Sequence, residues 1–140
     1  MKSVNFKLVL AILTVTIFLS TSCKKESTPA PKTTQEKIVG KWQLKSSEFN
    51  HFYSGLPHIV TITGTTADYA DFRNDNKVYS YINGTYDTAS YGIVTFSKIW
   101  IDASNHIFDI QILTDTDLKI YNKESYPAGE YDESTLIFFR

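Results

Sequence analysis

Imidazole side chains are the groups in this chain best suited to binding a transition metal or transferring a proton. The sequence contains three of them, His51, His58 and His106. A zinc or copper site needs two or three such ligands together, commonly with a carboxylate, and no His-x-His or His-x₃-His spacing occurs. We therefore expect no metal centre and interpret these histidines as loop or strand-edge residues.

Closely spaced aspartates are the other candidates for metal binding or acid–base chemistry. Asp68 with Asp71 and Asp115 with Asp117 form two such pairs. Calcium needs about six or seven oxygen ligands, whereas Asp-Thr-Asp at 115–117 is typical of a hairpin turn whose side chains bond to their own backbone. No Gly-x-Ser-x-Gly motif or glycine-rich phosphate loop is present. The sequence thus predicts that the protein is not an enzyme and needs no cofactor.

The single cysteine, Cys23, excludes an internal disulfide and a Cys-based metal site. It follows two early lysines and an apolar run from Leu8 to Leu19. That run, as a helix, is about 18 Å long, well short of the ~30 Å core of a bilayer. These features predict the core of a signal peptide rather than a membrane span.

The residues before Cys23 resemble the lipobox of bacterial lipoproteins. Leu19-Ser20-Thr21-Ser22 precedes the cysteine, and the lysines after it are similar to those of Bacteroidetes lipoproteins. The resemblance implies a signal peptide over 1–22, lipidation of Cys23, and a membrane partner reached through the acyl anchor. It places the protein in the cell envelope, at the outer membrane, facing the periplasm or the cell surface. Ordinary cleavage that leaves a free thiol is the alternative.

Composition separates a linker from a domain. Residues 23–36 are polar and contain two prolines, so they predict a flexible tether. Residues 37–140 carry nine Lys and Arg against thirteen Asp and Glu, a net charge of about −4. Without a basic stripe, nucleic acid is not expected as a partner.

Alternating apolar and polar residues in the domain predict an all-β fold. Tyr, Phe, Ile, Val and Thr are abundant, and Asn-Gly at 83–84 is typical of a hairpin turn. Short strands that follow one another through tight turns favour a small antiparallel up-and-down β-barrel of about eight strands. We predict strands near 41–49, 58–63, 67–73, 77–82, 86–96, 98–102, 106–113, 117–123 and 134–140.

The two ends of the domain resemble lipocalins, and more closely the lipocalin-like lipoproteins of Bacteroidetes. Gly40-Lys41-Trp42 resembles the Gly-x-Trp opening of the family, and Arg140 ends the last predicted strand. In the family such an arginine packs across the tryptophan and closes the barrel. Independently of the family, a guanidinium is attracted to an indole face, and its donors suit the carbonyls of a turn over Gln35–Val39. Gly40, Trp42 and Arg140 are therefore predicted to form a structural closure.

Aromatic and apolar side chains are the candidates for lining a ligand site. Tyr69, Tyr86 and Tyr91 are expected near the barrel mouth, and Phe108 and Ile110 share one face of a strand. Packing in the core and rim is the alternative for the tyrosines.

One sequence pattern indicates a modification. Asp87-Thr88-Ala89 matches the short sequon for O-glycosylation of exported Bacteroidetes proteins, which makes Thr88 a candidate acceptor.

Two functions follow from the predicted barrel. The first is binding of a small hydrophobic or amphipathic ligand; the second is contact with an envelope protein through the outer face of a filled barrel. A cavity of about 300 Å³ or more favours a ligand, whereas a filled interior with an exposed apolar patch favours a protein partner.

Overall fold

The computed structural model describes residues 29–102 and 106–140. The predicted signal peptide, Cys23 and the turn at 103–105 lie outside these residues. One compact unit spans Lys32–Arg140, so the folded part begins before the predicted boundary at residue 37.

The folded unit consists of one short helix and nine strands. Helix α1 (Thr34–Ile38) comes first, and a 3₁₀ turn (Pro127–Gly129) precedes the last strand. The strands are β1 (Gly40–Tyr53), β2 (Leu56–Thr63), β3 (Tyr69–Phe72), β4 (Lys77–Ile82), β5 (Thr85–Thr95), β6 (Lys98–Ile101), β7 (His106–Leu113), β8 (Asp117–Ser125) and β9 (Tyr131–Phe139).

Eight of these strands form a closed antiparallel barrel, which confirms the predicted fold class. Strand β1 closes it by pairing with β3 through Gly40–Gln43 and with β9 through Gln43–Phe52. The far half of β1, from Ser46 to Tyr53, also pairs with β2. Strand β2 is thus an extra strand, whose other edge has no strand neighbour among the described residues.

Strand β1 pairs with both β3 and β2 along one edge, and it carries a bulge between these two pairings. Its pairing with β9 shifts between Leu44 and Ser46, and a bulge bends a strand. At the bend the chain leaving β2 passes very close to β1, where a Cβ on Gly64 would meet the Leu44 carbonyl oxygen at 2.0 Å. Only glycine allows this approach.

Helix α1 begins inside the predicted tether because Thr33 forms a capping box. The Glu36 backbone N–H donates to the Thr33 hydroxyl at 3.2 Å, and the Thr33 N–H donates to the Glu36 carboxylate at 2.7 Å. Such reciprocal bonds satisfy the free N–H groups of a first turn. Within the described ranges, no helix has the length and apolar character needed to cross a membrane.

The two ends of the barrel differ. We call the end covered by α1 the closed end and the end with the Asn83-Gly84 turn the open end. At the closed end the Trp42 indole N–H donates to the Ile38 carbonyl at 2.7 Å, and the Gln35 amide donates to the Tyr91 hydroxyl at 3.1 Å. The buried core comprises Ile38, Trp42, Leu44, Ala70, Phe72, Val78, Tyr91, Ile99, Leu118, Ile120 and Phe138.

Arg140 joins three segments at the closed end. Its guanidinium carbon lies 4.0 Å from the centre of the Trp42 ring. Its Nη1 and Nη2 donate to the Val39 and Lys37 carbonyls, each at 3.0 Å, and its Nε donates to the Asp115 carbonyl at 2.8 Å. The chain end, helix α1, the first barrel strand and the β7–β8 turn are thereby held together.

Gly40 makes room for this arginine. It has a φ of +124°, a conformation that side chains disfavour, and a Cβ there would lie 2.9 Å from Arg140 Nη1. Gly40, Trp42 and Arg140 therefore belong to one structural closure, in which the glycine leaves space for the arginine that stacks on the tryptophan.

We predict that Trp42→Ala lowers the free energy of unfolding by about 2–5 kcal/mol, because it empties a fully buried indole site. Arg140→Lys should also lower the melting temperature, since an ammonium keeps the charge but lacks the planar fork of donors. Thermal and urea unfolding of both variants, with Lys77→Gln as an exposed control, measures the effect. Melts of Trp42→Ala and Arg140→Lys that match the unmodified chain would contradict this account.

Candidate functional site

The barrel interior contains a cavity of about 160 Å³ towards the open end. This volume is about half of the lower bound expected for a drug-sized ligand, so the interior is neither filled nor as spacious as the ligand hypothesis anticipated. Most of its lining is apolar, with side chains from seven strands, β3 to β9. The apolar lining residues are Ala70, Phe72, Val78, Ile82, Ala89, Ile101, Phe108, Ile120, Leu136 and Phe138.

The polar part of the lining is confined to one corner. Ser80 on β4 and Asp87 on β5 are directly opposite each other in the sheet register and complete the cavity lining. Asp87 is exposed and lies near the Asn83-Gly84 turn, so the polar corner is at the rim. The cavity is therefore amphipathic.

Tyr69 and Tyr86 lie on the outer face of the barrel wall, and neither lines the cavity. Their hydroxyls are 2.8 Å apart, and the Lys41 ammonium lies 3.7 Å from the centre of the Tyr69 ring. Alternation along β3 explains the placement, because Ala70 is the inward neighbour of Tyr69. The sequence pattern indicates that the two faces differ but does not assign a tyrosine to the inner one.

Tyr91 is inside the barrel but at the closed end. It is fully buried, and its hydroxyl donates to the Arg73 carbonyl at 2.9 Å. Its ring meets the Phe72 ring edge-on, with centres 5.1 Å apart. Burial raises the pKa of the Tyr91 phenol. This residue anchors the core, which was the alternative reading of the tyrosines.

The two predicted apolar residues on β7, Phe108 and Ile110, are both half-buried on one face of the strand. Both pack against the core cluster, and Phe108 also lines the cavity. A bulge between Ile110 and Ile112 in the pairing with β8 changes the alternation there.

Asp68 fixes the rim of the open end. Its carboxylate accepts the Thr65 N–H and hydroxyl, each at 2.7 Å, and the Asn83 N–H at 2.7 Å. These hydrogen bonds, with the Thr65 hydroxyl contributing most, lower the pKa of the buried Asp68 carboxyl. The β2–β3 loop and the β4–β5 hairpin are thereby joined beside the cavity.

The three histidines lie in one transverse row with two acidic residues, which the sequence did not indicate. His51 is opposite His58 on β2 and Asp132 on β9; Asp132 is opposite Glu124 on β8, and His106 Nε2 lies 3.0 Å from Glu124 Oε1. Because paired residues share a sheet face, the row crosses five strands. Knowledge of the register was needed to find it.

Tyr126 bridges the two carboxylates of this row. Its hydroxyl lies 3.1 Å from Asp132 and 3.2 Å from Glu124, and the hydrogen bond to Asp132 contributes most to raising the pKa of Tyr126 to about 12. His51 contacts Asp132 directly and lowers the pKa of that carboxyl. Within the described ranges, no three His, Cys, Asp or Glu side chains are positioned to hold a metal ion.

The candidate glycosylation position is accessible, because Thr88 is exposed on β5. Its modification stays a prediction.

Strand β2 carries exposed apolar side chains. The exposed fractions of Leu56, Ile59 and Val60 are 62%, 58% and 58%.

We predict that Asp68→Asn lowers the melting temperature at pH 7 by roughly 5 °C or more, because an amide cannot accept all three hydrogen bonds. The pKa of Asp68 is lowered from its usual 3.8 in the folded protein. Its stabilising contribution is therefore complete above that value and is lost as the pH falls through the lowered pKa.

The difference in melting temperature between the unmodified chain and Asp68→Asn should accordingly be smaller at about pH 3 than at pH 7. Asp109→Asn, which removes an exposed carboxylate paired with Lys98, is the matched control. A difference that stays constant from pH 7 to pH 3 would contradict the assignment.

Comparison with known proteins adds no identification. No protein-family model matches the chain, and no curated protein matches it.

Proposed function

We propose that the protein is a lipid-anchored protein of the bacterial cell envelope, of the lipocalin-like lipoprotein type, whose barrel binds a small amphipathic ligand. The observation that carries the proposal is the cavity with a largely apolar lining and one polar corner at its rim. Ligand sites of this kind combine an apolar wall with a few placed polar groups.

The volume limits the ligand. An apolar cavity of about 150 Å³ accommodates a molecule the size of benzene, and the cavity here is about 160 Å³. The ligand is therefore a molecule with a ring or short chain of about six carbon atoms inside and a polar group at the rim. A fatty acid or a haem is too large to be enclosed.

The anchor rests on the lipobox-like sequence and the single cysteine. Several acyl chains on Cys23, each CH₂ contributing about 0.8 kcal/mol, give firm membrane attachment. We place the protein at the outer membrane.

For the anchor, we expect Cys23→Ala to abolish labelling by a fatty acid analogue and to release the protein from the membrane fraction. Cell fractionation and metabolic labelling measure both effects, and Ser27→Ala, in the tether after the cysteine, is the control. A Cys23→Ala protein that still carries the label would refute lipidation at this residue.

For the ligand site, we expect the full chain to bind 2-phenylethanol and Ala89→Leu to lose that binding. Ala89 lines the cavity, and the larger side chain fills part of it. NMR titration of the purified protein measures binding, and Val94→Leu, an exposed substitution on the same strand, is the control. The site assignment fails if the unmodified chain and Ala89→Leu bind equally.

Strand β2 favours a second candidate function, an interaction module. Its outer edge has no strand neighbour among the described residues, and Leu56–Thr63 contains no Lys, Arg, Asp or Glu. Such an edge accepts an extended strand by backbone hydrogen bonding. When β2 of a second copy pairs antiparallel with this edge, no like charges repel each other. We therefore propose a second copy of this chain as the occupant.

We expect sedimentation velocity to show a concentration-dependent dimer for the unmodified chain and a monomer for Val60→Lys, because a charge on the edge strand opposes pairing. Val94→Lys, which adds the same charge away from β2, should still dimerise. A monomer at every concentration, or equal dimerisation of both variants, would exclude this candidate.

A further inference from the structure

The polar corner of the cavity carries an acidic group without a basic partner. Asp87 is the charged residue of the lining, and neither Lys nor Arg contributes to it. The carboxylate Oδ1 accepts the N–H of the neighbouring Thr88 at 2.7 Å. Among the described residues, Asp87 forms no ion pair, and Oδ2 has no hydrogen bond.

The surroundings of Asp87 differ from those of three other surface aspartates. Asp71, Asp109 and Asp115 each pair with a Lys or Arg. Asp87 instead stands at the rim of an apolar cavity, opposite the Ser80 hydroxyl. A negative charge beside an apolar wall is stabilised by an opposite charge that arrives with its own apolar body.

From this arrangement we infer that the ligand is a small organic cation, an amine with a ring or short chain of about six carbons. This inference rests on the proposed ligand-binding function and specifies its chemical class. The apolar body lies against Phe72 and Phe108, and the ammonium remains at the rim between Asp87 and Ser80. There it keeps part of its hydration while it donates to both oxygens.

The same arrangement discriminates among amphiphiles. A carboxylate of equal size brings a like charge to Asp87 and is disfavoured. A neutral alcohol fills the cavity and hydrogen-bonds at the rim but lacks the charge interaction. The order of affinity is therefore amine, then alcohol, then carboxylate.

Three probes of similar size test this order: 2-phenylethylammonium, 2-phenylethanol and phenylacetate. NMR titration of the purified full chain should give an affinity for the ammonium about three- to tenfold higher than for the alcohol, because the ion pair is partly exposed. Asp87→Asn should remove that preference, so that the variant binds the ammonium no more tightly than the alcohol. Asp109→Asn, which removes a carboxylate from the outer face, should retain the preference.

The outcomes separate the two proposals. Equal affinity for ammonium and alcohol, tighter binding of phenylacetate, or an ammonium preference that survives in Asp87→Asn overturns the cation assignment while the ligand site stands. If none of the three probes binds the unmodified chain, both the cation assignment and the ligand-binding function are overturned.

Discussion

The fold depends on the closure of β1 against both β3 and β9, and Arg140 is the side chain that stabilises it. A closed barrel leaves no free sheet edge, but closure requires the first and last strands to meet in one register. The Arg140 guanidinium stacks on Trp42. It also donates to the Val39 carbonyl, just before β1, and to the Asp115 carbonyl, just before β8. One residue thus connects the chain end to the first turn of the domain, and Gly40 provides the space.

This closure gives the barrel a gradient of packing. Near α1 the interior holds large, fully buried side chains, Trp42, Tyr91 and Phe72. Towards the open end the inward residues become half-buried, as at Ile82, Ile101 and Leu136. The closed end therefore supplies stability, while the open end has room for a ligand and is fixed at its rim by Asp68.

The sequence predicts the elements of the fold well because they depend on local patterns. Alternation locates all nine strands, and Asn83-Gly84, with φ of 51° and 80°, forms the predicted tight turn. Features that depend on strand register are not predicted by local patterns. The extra position of β2 and the histidine row each follow from which residues lie opposite one another, and the bulge after Leu44 shifts that register without an evident sequence signal.

The site was harder to predict than the fold because period-two alternation separates two faces without saying which is inside. Tyr69 and Tyr86 occupy the outer face, whereas Phe108 reaches the cavity. In the sequence Asp87 belongs only to a glycosylation pattern, since an aspartate at an inward position contradicts the expectation that polar residues face outward. Ser80, which lies opposite Asp87 in the sheet, likewise has no sequence feature that indicates a place in the cavity lining.

The cavity itself has a cause in the sequence. On one wall, Ala70 on β3, Ser80 on β4 and Ala89 on β5 are small, and Ala70 and Ser80 are direct cross-strand partners. The other strands contribute the larger Phe108, Ile120, Leu136 and Phe138. Protein interiors are normally close-packed, and a large residue at any of the three small positions would fill the space. The void is thus specified by three small side chains in adjacent strands, and Asp87 gives the resulting cavity its charge.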